Sequence, residues 1–284
     1  MFVALDHVAL AVHDLDVVTR FYRTLLGREP DQGVDYDGAS RCRFQLPNMA
    51  LELGSASGPG GAGERIERHL AAHGEGIWAL AFAATDFDHA RRKLLRRGLA
   101  VTVDAPALAA VRAASGEICF RREFEIAPDC GHGVRVLVVD RPRDAVPPLS
   151  DAVGPAPAQA FDHVVINTAQ PERALTFYGA RLGLDLALDR TNPDWNTRLL
   201  FFRCGGAVIE VAHRLGSERD GLPDQVWGLA WRLDDVDAAR ERLIGAGVDV
   251  SEVRRGRKPG TRVCTVRDAR ARVPTLLIGP GRDG

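Results

Sequence analysis

The 284-residue chain has little cysteine and no cysteine pattern. Its five cysteines, Cys42, Cys119, Cys130, Cys204 and Cys264, are odd in number, widely spread and free of any CxxC. That argues against a disulfide framework or a zinc finger as the organising element and fits the reduced thiols of a cytoplasmic protein. Long apolar runs are missing too: no stretch approaches the ~18–20 apolar residues that span a bilayer. The N-terminus enters a strand pattern at once, at Phe2-Val3-Ala4-Leu5, without the basic and apolar regions of a signal peptide. Charge of one sign is also lacking. Lys and Arg number 37 against 38 Asp and Glu, a net charge of −1. With no broad basic field, neither nucleic acid nor an anionic membrane surface is the expected partner. The runs Arg91-Arg92-Lys93 and Arg96-Arg97 fall in a helical pattern and read as a solvated face.

What the chain does have is repetition. Leu5-Asp6-His7-Val8-Ala9-Leu10 returns as Phe161-Asp162-His163-Val164-Val165-Ile166. At the same offset Phe21-Tyr22 returns as Phe177-Tyr178, and Leu26-Gly27 as Leu182-Gly183. A second repeat relates Trp78-Ala79-Leu80-Ala81-Phe82 to Trp227-Gly228-Leu229-Ala230-Trp231. It continues without a gap from Asp86, Asp88, Ala90, Arg91, Leu94, Gly98 and Val101 to Asp235, Asp237, Ala239, Arg240, Leu243, Gly247 and Val250. Internal repeats of this length define the architecture.

Each segment has one design: an apolar strand, an Asp-bearing turn able to cap a helix, and an amphipathic helix of about three turns. A glycine closes the helix, at Gly27, Gly98, Gly183 or Gly247, and three strand-like runs follow. The expectation is an α+β chain of four βαβββ modules at residues 3–55, 76–140, 160–214 and 225–279. They group into domains 1–140 and 160–284, with a Pro/Ala-rich linker over 141–159. Ser55–Gly63 reads as a flexible loop, and Glu64–His73 as a helix bridging modules one and two.

These residues resemble the vicinal-oxygen-chelate superfamily, which includes glyoxalase I, methylmalonyl-CoA epimerase, extradiol dioxygenases and the bleomycin and fosfomycin resistance proteins. The elements carrying the resemblance are Asp-His-Val opening modules one and three, the Phe-Tyr…Leu-Gly helix, and the turn Pro128–Gly133 leading into Val134–Val139. The resemblance implies paired modules forming cupped mixed sheets flanked by helices. It further implies that first-strand His and last-strand Glu residues bind Fe, Ni, Zn, Co or Mn. Carried over residue by residue, the metal ligands are His7 and Glu52 in module one, and His163 and Glu210 in module three. Modules two and four depart from the pattern, with Trp78 and Trp227 in place of His and Leu137 and Leu276 in place of Glu. An indole N–H only donates and cannot ligate a cation.

Three readings are open. Usual pairing leaves each cup with one His and one Glu, completed by water or substrate. Modules one and three sharing a cup would unite His7, Glu52, His163 and Glu210. In the third reading no metal binds, and each pair is a hydrogen-bonded relic beneath a ligand cup. Trp78, Trp227 and Trp231 are candidates for a substrate-binding wall, with core filling as the plainer alternative. Arg41, Arg43, Arg198 and Arg203 could grip an anion, with solvated strand edges as the plainer alternative. His132, in the turn before a last strand, is a further rim candidate.

The function expected is that of a glyoxalase-like small-molecule enzyme, lyase or isomerase in type, acting on a carbonyl or vicinal-oxygen substrate. Glu52 or Glu210 would move the proton, with or without a divalent metal. The competing class is a metal-free binding or resistance protein with a Trp-lined cup. Ring-cleaving dioxygenase chemistry is disfavoured by Trp227 and Leu276. A monomer or a homodimer would serve either reading.

Overall fold

The structure, a computed structural model, describes residues 2–112, 116–141, 148–217 and 221–281. Module one comprises β1 (Phe2–Ala11), α1 (Leu15–Leu26), β2 (Val34–Tyr36), β3 (Ala39–Gln45) and β4 (Ala50–Ala56), followed by α2 (Gly61–His73). Module two comprises β5 (Gly76–Ala84), α3 (Phe87–Arg96), β6 (Val101–Arg112), β7 (Ile118–Ile126) and β8 (Val136–Asp140). Module three runs through β9 (Ala160–Asn167), α4 (Pro171–Ala174) with its π-helical continuation Leu175–Arg181, β10 (Asp185–Asn192), β11 (Thr197–Cys204) and β12 (Ala207–Arg214). Module four holds β13 (Gln225–Arg232), α5 (Val236–Gly245), β14 (Arg254–Arg255), β15 (Thr261–Val266) and β16 (Thr275–Pro280).

The modules pair as one with two and three with four. One eight-stranded sheet has the order β2-β3-β4-β1-β5-β8-β7-β6, and the other repeats it as β10-β11-β12-β9-β13-β16-β15-β14. Within each, the two first strands run antiparallel (β1 with β5, β9 with β13), and each first strand runs parallel to its module's last strand. The composite cup of modules one and three therefore does not form. Strand β1 is hydrogen-bonded on both edges, to β4 and β5, so no edge remains for β9, and His7 and His163 lie in separate sheets.

Local chemistry accounts for the helices. Asp14, Asp86 and Asp235 each accept backbone N–H bonds at the starts of α1, α3 and α5, relieving donors that no helical carbonyl can reach. Module three has no such acid. Pro171 occupies the first helical turn instead, where its missing N–H costs nothing. Gly27, Gly98, Gly183 and Gly247 all follow their helices with positive φ, between 61° and 76°, the left-handed region glycine enters freely.

One hydrophobic core spans both domains, with Val8, Leu10 and Leu51 in the same cluster as Val164, Ile166 and Ile209. Polar locks accompany it. Tyr22 donates to Ala271 O at 2.7 Å. Asn48 donates to Phe161 O at 2.7 Å and to Gly206 O at 2.8 Å, and accepts from Phe161 N. His132 O accepts from Asp224 N at 2.7 Å, which puts that residue at the domain junction. Residues 148–159 of the linker are strapped down: Arg28 donates to Ser150 O and Ala158 O, and Val153 N donates to Gly27 O.

The helix expected as a bridge begins earlier, at Gly61, and does something else: it enters the first cup. Its start is locked to the β2–β3 hairpin. The Asp37 carboxylate accepts from Gly61 N at 2.9 Å and Ala62 N at 2.8 Å. A Cβ on Gly63 would lie 2.2 Å from Gly38 O, closer than any two such atoms pack. Gly63→Val is therefore expected to lower the unfolding free energy by about 1–3 kcal/mol, the usual cost of forcing bulk into a packed site. Urea denaturation with an unchanged midpoint would show that the glycine contact is not needed.

Candidate active site in the second cup

Helix α2 makes the two cups unlike. In the first, the concave sheet face is lined by small residues, Ala9 and Ala11 on β1 and Ala79 and Ala81 on β5. They leave room for Ile66 and Leu70 of α2 to pack into one buried cluster with Trp78, Leu137 and Val139. Burial of such side chains contributes roughly 1.5–3 kcal/mol each, so this cup is filled by its own chain. In the second domain the corresponding connection, between β12 and β13, has only ten residues, and the described ones form no helix. The matching face stays open, and Trp227 is 53% exposed.

Each His–Glu pair is present, in different surroundings. In the first cup, His7 Nε2 lies 4.0 Å from Glu52 Oε1, with side-chain exposures of 2% and 7%. Arg43 already holds that glutamate: its Nε and Nη2 lie 2.7 and 2.5 Å from Glu52 Oε2, and Arg41 Nε lies 3.8 Å from Oε1. Behind His7, Asp6 accepts from Arg121 at 3.0 and 3.1 Å and lies 2.9 Å from His7 Nδ1. Burial alone would raise the Glu52 carboxyl, but Arg43, His7 and Arg41 outweigh it and hold it at about 2. Asp6 is lowered in the same way, burial being overcome by Arg121 and His7. The Arg43 guanidinium neutralises Glu52 through Oε2, and no third His, Cys, Asp or Glu converges on the pair among the described residues, so this donor set falls short of a metal site. Arg43, for which a solvated strand edge was the plainer expectation, is instead a buried counter-ion.

The second cup lacks those arginines. His163 Nε2 lies 3.6 Å from Glu210 Oε2, with exposures of 16% and 15%. His163 Nδ1 lies 2.8 Å from Asp162 Oδ1, which orients the ring and turns Nε2 towards Glu210. Burial pushes the Glu210 carboxyl up, and His163 and Arg257 draw it back only in part. For His163, burial opposes protonation, but the Asp162 hydrogen bond and the Glu210 charge prevail and raise it. The result is a proton-holding pair that is partly exposed and, among the described residues, has no arginine or lysine at hydrogen-bond distance.

Pairing register corrects the assignment of the tryptophans. Glu52 pairs with Ala9 and Leu137 with Ala81, so Ala79, two residues before Ala81, corresponds to His7. By the same step Gly228 corresponds to His163, because Glu210 pairs with Val165 and Leu276 with Ala230. Trp78 and Trp227 stand one residue earlier, matching Asp6 and Asp162. Trp78 is sealed under α2, with the Arg135 guanidinium 4.7 Å over its ring. Trp231 is not on the wall either. A register shift between Val226 and Gly228 breaks the alternation and turns Trp231 into the core, edge-on to Phe161 at 5.1 Å. Of the three, Trp227 alone is open. Arg198 is spent on Asp189 and Glu172, and Arg203 lies 3.8 Å from Asp185 at the surface.

Residues that sequence patterns did not single out complete the mouth. Trp195 lies in the β10–β11 connection, and Arg257 lies in the β14–β15 hairpin at the opposite end of the sheet. Yet Arg257 sits 4.8 Å over the Trp195 ring, and Arg190 sits 5.9 Å from it. Contact between the two ends shows that the sheet curls into a cup. A cavity of about 510 Å³ lies at the end of the same strands, lined in part by Asn167, Thr197, Ala212, Leu222 and Gln225. Strand alternation puts Asn167 on the His163 face and Ala212 on the Glu210 face. No single-sequence signal links Trp195 to Arg257, because their meeting depends on curvature. As to metal, the second cup has His163 and Glu210, and no group of three or more His, Cys, Asp or Glu converges among the described residues. Catalytic zinc sites use three protein ligands, so the residues present do not make up such a set.

The sequence comparisons agree with this architecture. Profiles described as the Glyoxalase/Bleomycin resistance protein/Dioxygenase superfamily match residues 6–120 and residues 160–270, and the chain is a tandem two-domain member of that superfamily. No curated protein sequence matches it. Among solved structures it is similar to a variant of 4-hydroxymandelate synthase from Streptomyces coelicolor, at TM-score 0.67 and 16% identity over 99% of this chain and 94% of that one. It is also similar to the Mn(II)-bound glyoxalase from Novosphingobium aromaticivorans, at TM-score 0.64 and 16% identity over 100% and 85% of the two chains. A halotolerant catechol dioxygenase follows, at TM-score 0.63 and 14% identity over 99% and 88%. At these identities the likeness is one of fold.

The two glutamates should respond unequally to substitution. Glu52→Gln leaves Arg43 buried without its partner and is expected to cost about 3–5 kcal/mol. Glu210→Gln is expected to cost under about 1 kcal/mol, since its ion pair with His163, at 3.6 Å and partly exposed, is looser than the arginine contacts of Glu52. Denaturant midpoints of the two variants check this, and equal losses would contradict it. Because folding holds Glu52 at about 2, below its ordinary value, its stabilisation is fully present above about pH 4.5 and fades as pH falls towards 2. The denaturant midpoint of Glu52→Gln should therefore depend less on pH across that window than that of the unaltered chain.

Proposed function

We propose that the chain is a small-molecule enzyme working in the second cup by acid–base chemistry at a carbonyl or vicinal-oxygen substrate. The observation that carries this reading is the contrast between the pairs: Glu52 is buried and neutralised by arginine, whereas Glu210 is accessible, raised in pKa and faced by an oriented imidazole. Glu210 in its carboxylate form would take the proton beside the carbonyl. His163, whose proton the Asp162 hydrogen bond favours, would donate to the oxygen as negative charge builds on it. Proton removal next to a carbonyl is a step shared by lyases and isomerases, so the reading keeps to that common step. His7 and Glu52 have a structural part in it, and Trp227 forms an apolar wall.

Two donors 3.6 Å apart leave a transition ion dependent on water and substrate for its remaining positions, and no step here relies on one. A second class, a binding or resistance protein, draws on the same open cup and Trp227.

The direct assay follows loss of α-proton signals in D₂O by NMR, using a panel of ketones, hemithioacetals and 2-oxoacids. Exchange catalysed by the unaltered chain should fall about 10²–10⁴-fold in Glu210→Gln and in His163→Asn, and remain in Trp78→Phe. The rate should rise with pH as Glu210 ionises, at a pH raised from its ordinary value by burial, and fall again as His163 loses its proton, above its ordinary 6.5. Binding without exchange on any member of the panel would favour the binding-protein class. Exchange that appears only on adding Mn²⁺, Ni²⁺, Co²⁺ or Fe²⁺ would move the chemistry to a bound metal.

A further inference from the structure

The cationic side chains at the mouth of the second cup are not absorbed by the acid–base account. The β14–β15 hairpin, Arg254-Arg255-Gly256-Arg257-Lys258-Pro259-Gly260-Thr261-Arg262, has five cations and no acid in nine residues. Arg262 is paired with Asp237 at 2.7 Å. For Arg257 and Lys258, no carboxylate lies within ion-pair distance among the described residues. Both nevertheless act on the site: Arg257 lowers Glu210, and Lys258 lowers Asp162, as charges near enough to be felt through the cup.

Such a guanidinium would ordinarily wander in solvent. Here it is stacked 4.8 Å over Trp195, whose ring also has Arg190 beside it at 5.9 Å. Stacking on an aromatic face fixes the plane of the guanidinium and leaves its N–H donors free for a planar anion. At the first His–Glu pair the arginines are paired instead. There Asp6 and Glu52 together take Arg41, Arg43, Arg121 and Arg141 within 4 Å. Arg257 and Lys258 thus leave positive charge without a carboxylate partner, among the described residues, at the rim of the open cup. Focusing of this kind draws in an oppositely charged ligand. In the same domain Trp227 on β13 offers an exposed apolar surface.

We infer that the second cup takes a small organic anion, with Arg257, held by Trp195, binding its carboxylate or phosphate and Trp227 covering its apolar body. The inference rests on the second cup being the ligand site, not on the acid–base step proposed there. Arg257 is then a specificity residue at the rim, with Lys258 adding to the local field.

Calorimetric titration of the full chain with 2-naphthoate, 2-naphthyl phosphate and the uncharged 2-naphthamide tests it. At low salt the better anion should bind about tenfold or more tighter than the amide, and the preference should shrink as salt rises. A tighter 2-naphthyl phosphate assigns a phosphate head group, and a tighter 2-naphthoate a carboxylate. Arg257→Gln should abolish the preference while leaving the amide affinity and the thermal midpoint unchanged, since Arg257 is exposed. Arg257→Lys should keep the charge but lose the planar contact, giving an intermediate preference. Equal affinity for anion and amide in the unaltered chain, or a preference that survives Arg257→Gln, overturns the inference. The two readings fail separately. An anion preference retained in Glu210→Gln and His163→Asn, with no exchange by the unaltered chain, removes the acid–base proposal and leaves the anion site standing.

Discussion

A curled eight-stranded sheet has a concave face that must be covered by protein or left to a ligand, and that constraint organises this molecule. Exposed apolar surface at the bottom of a cup is costly to leave unpartnered. In the first domain the chain meets the constraint itself. Alanines at 9, 11, 79 and 81 lower the wall, and a glycine contact at 38 and 63 lets α2 start close enough to enter. Once the helix is in place, water is excluded from His7 and Glu52, so their charges must be met by protein groups. Arg43, Arg41 and Arg121 meet them. The salt-bridge cluster is thus a consequence of filling the cup.

The second domain has the same strand order and the same His–Glu pair, but only a ten-residue connection where α2 would be. A single difference in connection length therefore separates a sealed cup from an open one. It also separates the pKa behaviour of the two glutamates. Glu52 is buried and paired, and its carboxyl is held low. Glu210 is buried enough to be raised but has no arginine at close range, so its proton lies nearer to neutral conditions. Environment, not residue identity, assigns the two roles.

Much of the fold could be read from the sequence, because repeats report topology directly. The four βαβββ units and the helix-closing glycines stand where the repeated segments put them, and each first-strand His faces its module's Glu. What could not be read depended on three-dimensional relations that spacing does not encode. Which modules share a sheet was left open, since pairing is decided by which strand edges remain free. The tryptophan positions slipped by one because alignment of first strands ignores register with the last strands. Trp231 moved to the core because a bulge reversed its parity. Trp195 and Arg257 were missed because they become neighbours only when the two ends of a sheet curl together. The packing of α2 into the cup was illegible for a related reason: its apolar face is evident in Ile66 and Leu70, but not what that face covers.

The filled first cup has a consequence for how the chain can respond to ligand concentration. Gene duplication that leaves two working sites permits communication between halves of one polypeptide, because each occupied site can bias the other. Here α2 packs into one of the two cups, so on the reading proposed above a single chain offers its ligand one open cup. A sigmoidal response could then arise only between chains, through an assembly, and an isolated chain would follow a simple hyperbola. Duplication in this molecule has bought a larger shared core, not a second sensor.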